Sequence, residues 1–359
     1  MQRRLLMKGN EAVGEAAVRA GCRYFFGYPI TPQNEIPEYL SRRLPEVGGV
    51  FVQAESEISA INMVYGAAGA GARVMTSSSS PGISLMMEGI SYIAGAELPC
   101  VIVNMSRGGP GLGGIQPAQS DYFQATKGGG HGDYRMLVLA PASVQELADC
   151  VADAFDLADK YRNPVMVLGD GALGQMMEPV SFTRPAVAVD RLPDKPWATT
   201  GAVGRKPNII NSLYLKNDEL EALNLRLKAK YDRMRRDEQR IEIVDCEQAD
   251  IILVAYGITS RICRSAAGLA RTSGLKVGIA RPISLFPFPE KAFSDLAKLG
   301  VPMLVVELSL GQMVEDVKLA VNGKCPVRFY GKVGGTLPTP REILEKAWAV
   351  LNNPDCEVF

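Results

Sequence analysis

Short β-branched and aromatic runs take turns with helical patterns from the start of the chain to about Val180. The runs predict strands over residues 24–26, 49–53, 73–76, 100–104, 136–139 and 165–168. Between them the spacing predicts helices over 11–20, 32–43, 57–71, 83–94 and 144–161. This alternation specifies α/β architecture with a mainly parallel sheet, because a strand reaches a parallel neighbour only through a crossover, usually helical. Ligands of such sheets bind beyond the carboxyl ends of the strands. Those ends carry Thr31, Glu55 and Glu57, the stretch from Ser77 to Gly82, and Arg107 with its glycines.

After about Ser181 the pattern changes. Pro185, Pro193, Pro196 and Pro207 mark a connector. Residues 217–240 are highly charged, with Leu220, Leu223, Leu225, Leu227 and Tyr231 as apolar points. They read as a long, partly exposed helix that braces the two domains or packs on a partner, or simply as a solvated amphipathic helix. A second α/β unit follows, with strands over 251–256, 276–280, 303–306 and 327–330 and helices over 257–272, 311–321 and 341–351. A chain of 359 residues accommodates this division: 1–183, a linker over 184–245, and 246–359.

Composition removes several function classes. Lysine plus arginine equals aspartate plus glutamate, 39 each, so no basic excess points to nucleic acid. No run approaches the length of a membrane span, and no long apolar segment follows Met1 to Leu5, so neither a membrane role nor a signal peptide is expected. The seven cysteines are scattered, with no C-x-x-C pair, which excludes an ordinary ferredoxin-type cluster held by this chain alone. Scattered thiols and no export signal suit a cytoplasmic protein. With His131 as the lone histidine, no histidine-rich metal site is possible within the chain, and no metal ligands are expected in it.

At the first strand end, Pro29 and Pro32 stiffen the loop, and Pro32 suits the first turn of a helix. That puts Thr31 at the N-cap, its hydroxyl beside unpaired helix N–H groups, a place for a small anion such as a carboxylate. An ordinary threonine-capped turn reads the same way. Arg107 opens Arg107-Gly108-Gly109-Pro110-Gly111-Leu112-Gly113-Gly114, where glycines admit a close ligand and an arginine can grip a carboxylate through two N–H groups. A mobile loop with a solvated arginine is the competing reading. Glu55 and Glu57 fit either a helix dipole partner or a functional carboxylate. Gly169-Asp170-Gly171 resembles the start of a thiamine diphosphate motif, but no asparagine pair completes it, so it reads as a turn.

Taken together these stretches resemble the α subunit of the thiamine diphosphate-dependent 2-oxoacid:ferredoxin oxidoreductases over nearly the whole chain. The anchors are Lys8 to Ala12, Tyr28-Pro29-Ile30-Thr31-Pro32, Glu57 ahead of Ile61-Asn62-Met63, Thr76 to Gly82, Ser106 to Pro110, His131-Gly132-Asp133, Leu139-Ala140-Pro141 and Glu307 to Met313. Within the family the likeness is to the branched-chain type, the 2-oxoisovalerate (3-methyl-2-oxobutanoate) dehydrogenases. The resemblance implies a pyrimidine-binding-like domain followed by a transketolase C-terminal-like domain. It implies Glu57 on N1′ of the thiamine aminopyrimidine, Thr31 and Arg107 on the 2-oxoacid carboxylate, and cofactor contacts from Pro29, Ile30, Ser79 and Ser80. It assigns the diphosphate, Mg²⁺ and a [4Fe–4S] cluster to a β subunit, and adds a γ subunit, a ferredoxin-like subunit, ferredoxin as electron acceptor and coenzyme A as co-substrate. A 2-oxoglutarate- or pyruvate-specific member, or another pyrimidine-binding subunit of a thiamine enzyme, are the alternatives.

Overall fold

Residues 4–353 are described in the computed structural model. The larger sheet has seven strands, in the order Ser284–Phe286, Leu137–Leu139, Pro164–Asp170, Cys100–Ser106, Val74–Ser78, Tyr24–Gly27, Val50–Gln53. All neighbours are parallel except the first pair. Val74–Ser78, Cys100–Ser106 and Pro164–Asp170 are buried along their whole length. That is why Cys100–Ser106 and Pro164–Asp170 read as near-continuous apolar runs rather than as alternation. The helix pairs Gly9–Arg19 with Val144–Tyr161, and Glu57–Gly69 with Ser80–Gly95, pack on each other around this sheet.

The second sheet runs Val327–Gly331, Met303–Glu307, Ile251–Val254, Val277–Pro282, Ile241–Val244, with only the last pair antiparallel. Four strands were not expected. Leu5–Lys8 pairs with Met177–Val180. Ile241–Val244 edges the second sheet. Ser284–Phe286, from the second half of the chain, joins the first sheet antiparallel to Leu137–Leu139. Three residues carry no periodic signal, and the partner strand is remote in sequence, so this crossing has no local signature.

The charged helix, Asn217–Asp237, lies on the first unit. It buries Leu223, Leu227, Tyr231 and Met234 and leaves Leu220 and Leu225 exposed. It also buries Lys230, whose ammonium pairs with Glu97 at 3.2 Å and donates to the Arg162 carbonyl at 3.1 Å. Burial pushes the Lys230 pKa down against the pull of Glu97.

The two units are fastened by the segment after the glycine-rich loop. Gln119 is 3% exposed. Its Nε2 donates to the Tyr256 carbonyl at 2.9 Å and its Oε1 accepts from Leu308 N at 3.0 Å. Tyr122 donates to Asp316 at 2.6 Å, and the Gln312 side chain binds Phe123 N and the Ser120 carbonyl, both at 2.8 Å. Gln119→Leu keeps the volume but strands the buried Leu308 N–H on the second unit, while the Tyr256 carbonyl keeps the Thr259 hydroxyl. It is expected to lower unfolding free energy by about 2 kcal/mol, read as an earlier urea midpoint. An unchanged midpoint would mean that water replaces the amide at no cost.

Candidate functional site

The carboxyl end of Val50–Gln53 runs straight into a helix start. Ser56 is the N-cap, its Oγ accepting from Ser59 N at 3.2 Å. Capping is therefore done without Glu57, the first residue of the helix. Glu57 is 5% exposed, whereas Glu55 stands in solvent. The Glu57 carboxylate has no hydrogen bond or ion pair with any described residue. A buried carboxylate left so is costly to the fold alone, and a donor supplied from outside the chain removes that cost. The position is made by a neighbour's missing side chain. A Cβ on Gly82 would lie 2.5 Å from Glu57 Oε1 and 2.1 Å from Ser78 Oγ.

Gly82 belongs to the first turn of Ser80–Gly95, which also holds Arg107. Ser80 Oγ accepts from Arg107 N at 2.9 Å. From there the guanidinium, 8% exposed, reaches the Thr31 carbonyl through Nη1 at 2.8 Å and the Leu112 carbonyl through Nη2 at 3.1 Å. Its Nε is buried with no partner. Arg107 is thus fixed rather than solvated, and it meets Thr31. Ser79 is the N-cap of the same helix, yet its hydroxyl makes no cap bond and is buried without a partner. The Ser78 and Ser106 hydroxyls are likewise buried and unpartnered. Pro29 is exposed and Ile30 half-buried at the rim.

Some local expectations need correction. Thr31 is not an N-cap. The helix begins later, at Glu35–Glu46, with Asn34 at its cap and no side-chain cap bond. The Pro32 carbonyl is taken by Asn10 Nδ2 at 2.8 Å and Gln175 Nε2 at 3.1 Å, and Gln33 N closes a turn onto the Ile30 carbonyl at 3.1 Å. Side chains from two other elements hold the chain in a turn where the helix was expected. Thr31 is exposed, its hydroxyl 3.4 Å from Asn34 Nδ2 and away from free helix N–H groups. Ser77 and Ser78 are strand residues, not loop, since Val74–Ser78 runs two residues further than expected.

Asp121 was not visible in the sequence. It is 8% exposed, and its Oδ2 accepts from Ser80 Oγ at 2.6 Å and Asn104 Nδ2 at 2.9 Å. Burial pushes its pKa up, against these hydrogen bonds. Its partners are remote in sequence, so no spacing rule finds it. Gly169 to Gly171 is not the turn expected: Gly169 and Asp170 end a strand and Gly171 opens a helix, with Asp170 capping Gly171–Gln175 by accepting from Ala172 N and Leu173 N at 2.9 and 3.0 Å. Burial pushes its carboxyl up to about 6. His131 is exposed, with Tyr92 edge-on to its ring. Six cysteines, from Cys22 to Cys325, are buried and free, and Cys356 lies outside the described residues. No group of metal-binding side chains and no helix able to cross a membrane occurs among the described residues.

A cavity of about 690 Å³ opens between the units beside Ser80 and Asp121. Gly108 to Gly111, Leu308 to Leu310, Gln312 and Val333-Gly334 wall it, and none of its lining residues is basic. Lys127, the nearest basic candidate in sequence, is held by Asp316.

Two family profiles match the chain. One, described as pyruvate flavodoxin/ferredoxin oxidoreductase, thiamine diphosphate-binding, covers residues 15–225. The other, pyruvate:ferredoxin oxidoreductase core domain II, covers residues 249–343. The chain is 54% identical to the ketoisovalerate oxidoreductase subunit VorB of Methanothermobacter marburgensis, over 95% of this chain and 96% of that one. It is 39% identical to the 2-oxoglutarate synthase subunit KorA of Methanothermobacter thermautotrophicus, over 96% and 98%. Among solved structures, 2-oxoglutarate:ferredoxin oxidoreductase from Magnetococcus marinus, with 2-oxoglutarate, coenzyme A and succinyl-CoA bound, superposes with a TM-score of 0.86 at 28% identity, over 98% of this chain and 66% of that one. A split-gene transketolase shares the fold at a TM-score of 0.59 and 15% identity, over 96% and 98%.

Gly82→Ala tests the cradle. In an unobstructed helix this change is worth up to about 1 kcal/mol of stabilisation. Here the new methyl meets Glu57 and Ser78, and a net loss of about 1–3 kcal/mol is expected, with the Glu57 carboxylate displaced. Urea melts and a crystal structure of the variant read both. A gain in stability with Glu57 unmoved would show slack in the turn.

Proposed function

The chain belongs to the 2-oxoacid:ferredoxin oxidoreductase family, and on that premise we propose that it is the α subunit acting on 2-oxoisovalerate. The reaction is CoA-dependent oxidative decarboxylation of the 2-oxoacid to acyl-CoA and CO₂, with reduction of ferredoxin. Two observations support the substrate. The chain is 54% identical to a ketoisovalerate oxidoreductase subunit, against 39% to a 2-oxoglutarate synthase subunit. The cavity beside the site offers no cation for a second carboxylate, and an unpaired buried charge is costly.

The observation that carries the active-site reading is the unpartnered, buried Glu57 carboxylate. It fits the aminopyrimidine of thiamine diphosphate, which brings a ring nitrogen able to share a proton with it. When bound, the cofactor supplies a carbanion-stabilising centre. Glu57 would hold a proton against the ring nitrogen of the bound aminopyrimidine. Arg107 and Thr31 orient the 2-oxoacid by its carboxylate, with the buried Nε of Arg107 as a spare donor. Pro29 and Ile30 on one side, and Ser79 and Ser80 on the other, line the cofactor's place. The fit is partial by construction: no diphosphate or Mg²⁺ ligand set is present, and a β subunit supplies these and a [4Fe–4S] cluster. It docks over the exposed faces of Glu57–Gly69 and Ser80–Gly95, where Ile58, Leu85 and Tyr92 are uncovered. A γ subunit and a ferredoxin-like subunit complete the complex, and its scattered thiols suit the cytoplasm. The domains run 1–183 and 246–359 about a linker over 184–245, with Ser284–Phe286 returned to the first sheet.

Three outcomes follow. The isolated chain is expected to show no CoA- and ferredoxin-dependent turnover, and activity should appear on adding the β partner. Turnover by pure α chain would overturn the division of labour. In the reconstituted complex Glu57→Gln is expected to lower kcat by about 10²–10⁴-fold, with slower exchange of the cofactor's C2 proton, while the exposed Glu55→Gln has little effect. Exchange at the wild-type rate in Glu57→Gln would return Glu57 to a purely structural role. Side-by-side kcat/KM values for 2-oxoisovalerate, pyruvate and 2-oxoglutarate should favour the first, and a preference for 2-oxoglutarate would sink the branched-chain assignment alone.

A further inference from the structure

We infer that Asp121 is a positioning residue for substrate binding: acting through Ser80, it fixes Arg107 where the 2-oxoacid carboxylate is gripped. This rests on the reading of Arg107 as the carboxylate-binding arginine. Asp121 is 8% exposed and makes no ion pair with any described residue. For stability alone such a carboxylate is a poor choice. What it does have is a hydroxyl to command. Ser80 Oγ carries one proton, and the 2.6 Å bond to Asp121 Oδ2 claims it. The lone pairs of Ser80 are then left to accept from Arg107 N at 2.9 Å. The competing arrangement, Ser80 donating to the Arg107 carbonyl, is longer at 3.3 Å and points the hydroxyl toward the same residue whose N–H it should accept. Asp121 therefore sets which way the hydroxyl points, and the hydroxyl sets where Arg107 leaves the sheet.

That anchor matters because of what the other two are. The guanidinium is held at the Thr31 and Leu112 carbonyls, both in turns or loops. The Arg107 backbone is bridged to Pro117 in the loop that follows, and the hydrogen bond from its N–H to Ser80 is what ties it to a helix packed on the sheet. A two-pronged grip on a carboxylate tolerates little displacement, so a loosened backbone at Arg107 weakens substrate binding before it affects later steps. Asn104 Nδ2, donating to the same Oδ2 at 2.9 Å, keeps that acceptor in place. It would also turn the oxygen of an asparagine at this position toward Ser80.

The test uses the reconstituted complex and compares Asp121→Ala, Asp121→Asn, Ser80→Ala, the Asp121→Ala/Ser80→Ala double variant and Arg107→Ala. Asp121→Ala is expected to raise KM for the 2-oxoacid by about tenfold, with kcat and KM for CoA changing far less, and Ser80→Ala is expected to raise the same KM by a like factor. Asp121→Asn should return KM to within about twofold of wild type, because it restores the acceptor. The double variant should be no worse than the poorer single, since both cut one chain of hydrogen bonds. Ser80→Ala leaves the buried carboxylate in place and carries the test should Asp121→Ala fail to assemble. Multiplying effects, a rise in KM for CoA instead, or unchanged KM for the 2-oxoacid while Arg107→Ala raises it, would overturn the inference and leave the Arg107 reading standing. Unchanged KM in Arg107→Ala itself would bring down that reading and this inference with it.

Discussion

The first turn of the Ser80–Gly95 helix is the constraint on which the site depends. Within three residues it does two opposite things. Ser80 reaches out and holds the Arg107 amide. Gly82 withholds a side chain and so leaves space for Glu57 Oε1. Glu57 and Arg107 come from different strand–helix units, and no hydrogen bond joins them directly. Their mutual placement is therefore set through this turn. A parallel sheet makes that possible, because Gly27, Ser78 and Ser106 end at one edge and every following turn meets there.

The same edge collects polar groups that the chain does not satisfy. The Ser78, Ser79 and Ser106 hydroxyls and Arg107 Nε are buried without partners, and the Glu57 carboxylate, on a buried residue but with its oxygens still reached by solvent, has no donor among the described residues. Elsewhere the fold does the opposite. Glu307 is fully buried, and the N–H groups of Gln312, Met313 and Val314, with the Ser309 hydroxyl, all point at it within 3.2 Å. Arg281 is buried against Glu146 and Glu242. Buried atoms without partners also occur singly elsewhere, as at Asn163 Oδ1 and Tyr231 Oη, but at this sheet edge several gather beside Glu57 and Arg107.

How much of this the sequence carried depends on the range of each interaction. The parallel sheet was legible because buried strands announce themselves residue by residue, as in Val101-Ile102-Val103. Gly169-Asp170-Gly171 was read as a turn, whereas a strand there passes directly into a short helix that Asp170 caps by binding N–H groups two and three residues on. Thr31 was misread as well. Its cap reading used only its neighbours, while the Pro32 carbonyl is claimed by Asn10 and Gln175. Asp121 and the Ser284–Phe286 strand left no trace, since their partners are remote and neither has a pattern of its own. Glu57 and Glu55 were inseparable by local chemistry, and only resemblance chose between them. Burial draws the same distinction, with Ser56 taking the cap and Glu57 turned inward.

Half a site is a physical liability for a free subunit, and it is also a means of assembly. A buried carboxylate such as Glu57 destabilises the lone chain by more than a surface one, and the loss is recovered only when a donor arrives. On the proposed reading that donor belongs to the cofactor, whose other end a partner subunit binds. Cofactor binding and subunit association then draw on the same free energy, and each strengthens the other through a shared ligand. The uncovered apolar side chains Ile58 and Leu85 lie on the two helices that begin at Glu57 and Ser80. Burial of that face and satisfaction of the carboxylate are thus placed to occur in one step, so that a complete site forms only in a complete complex.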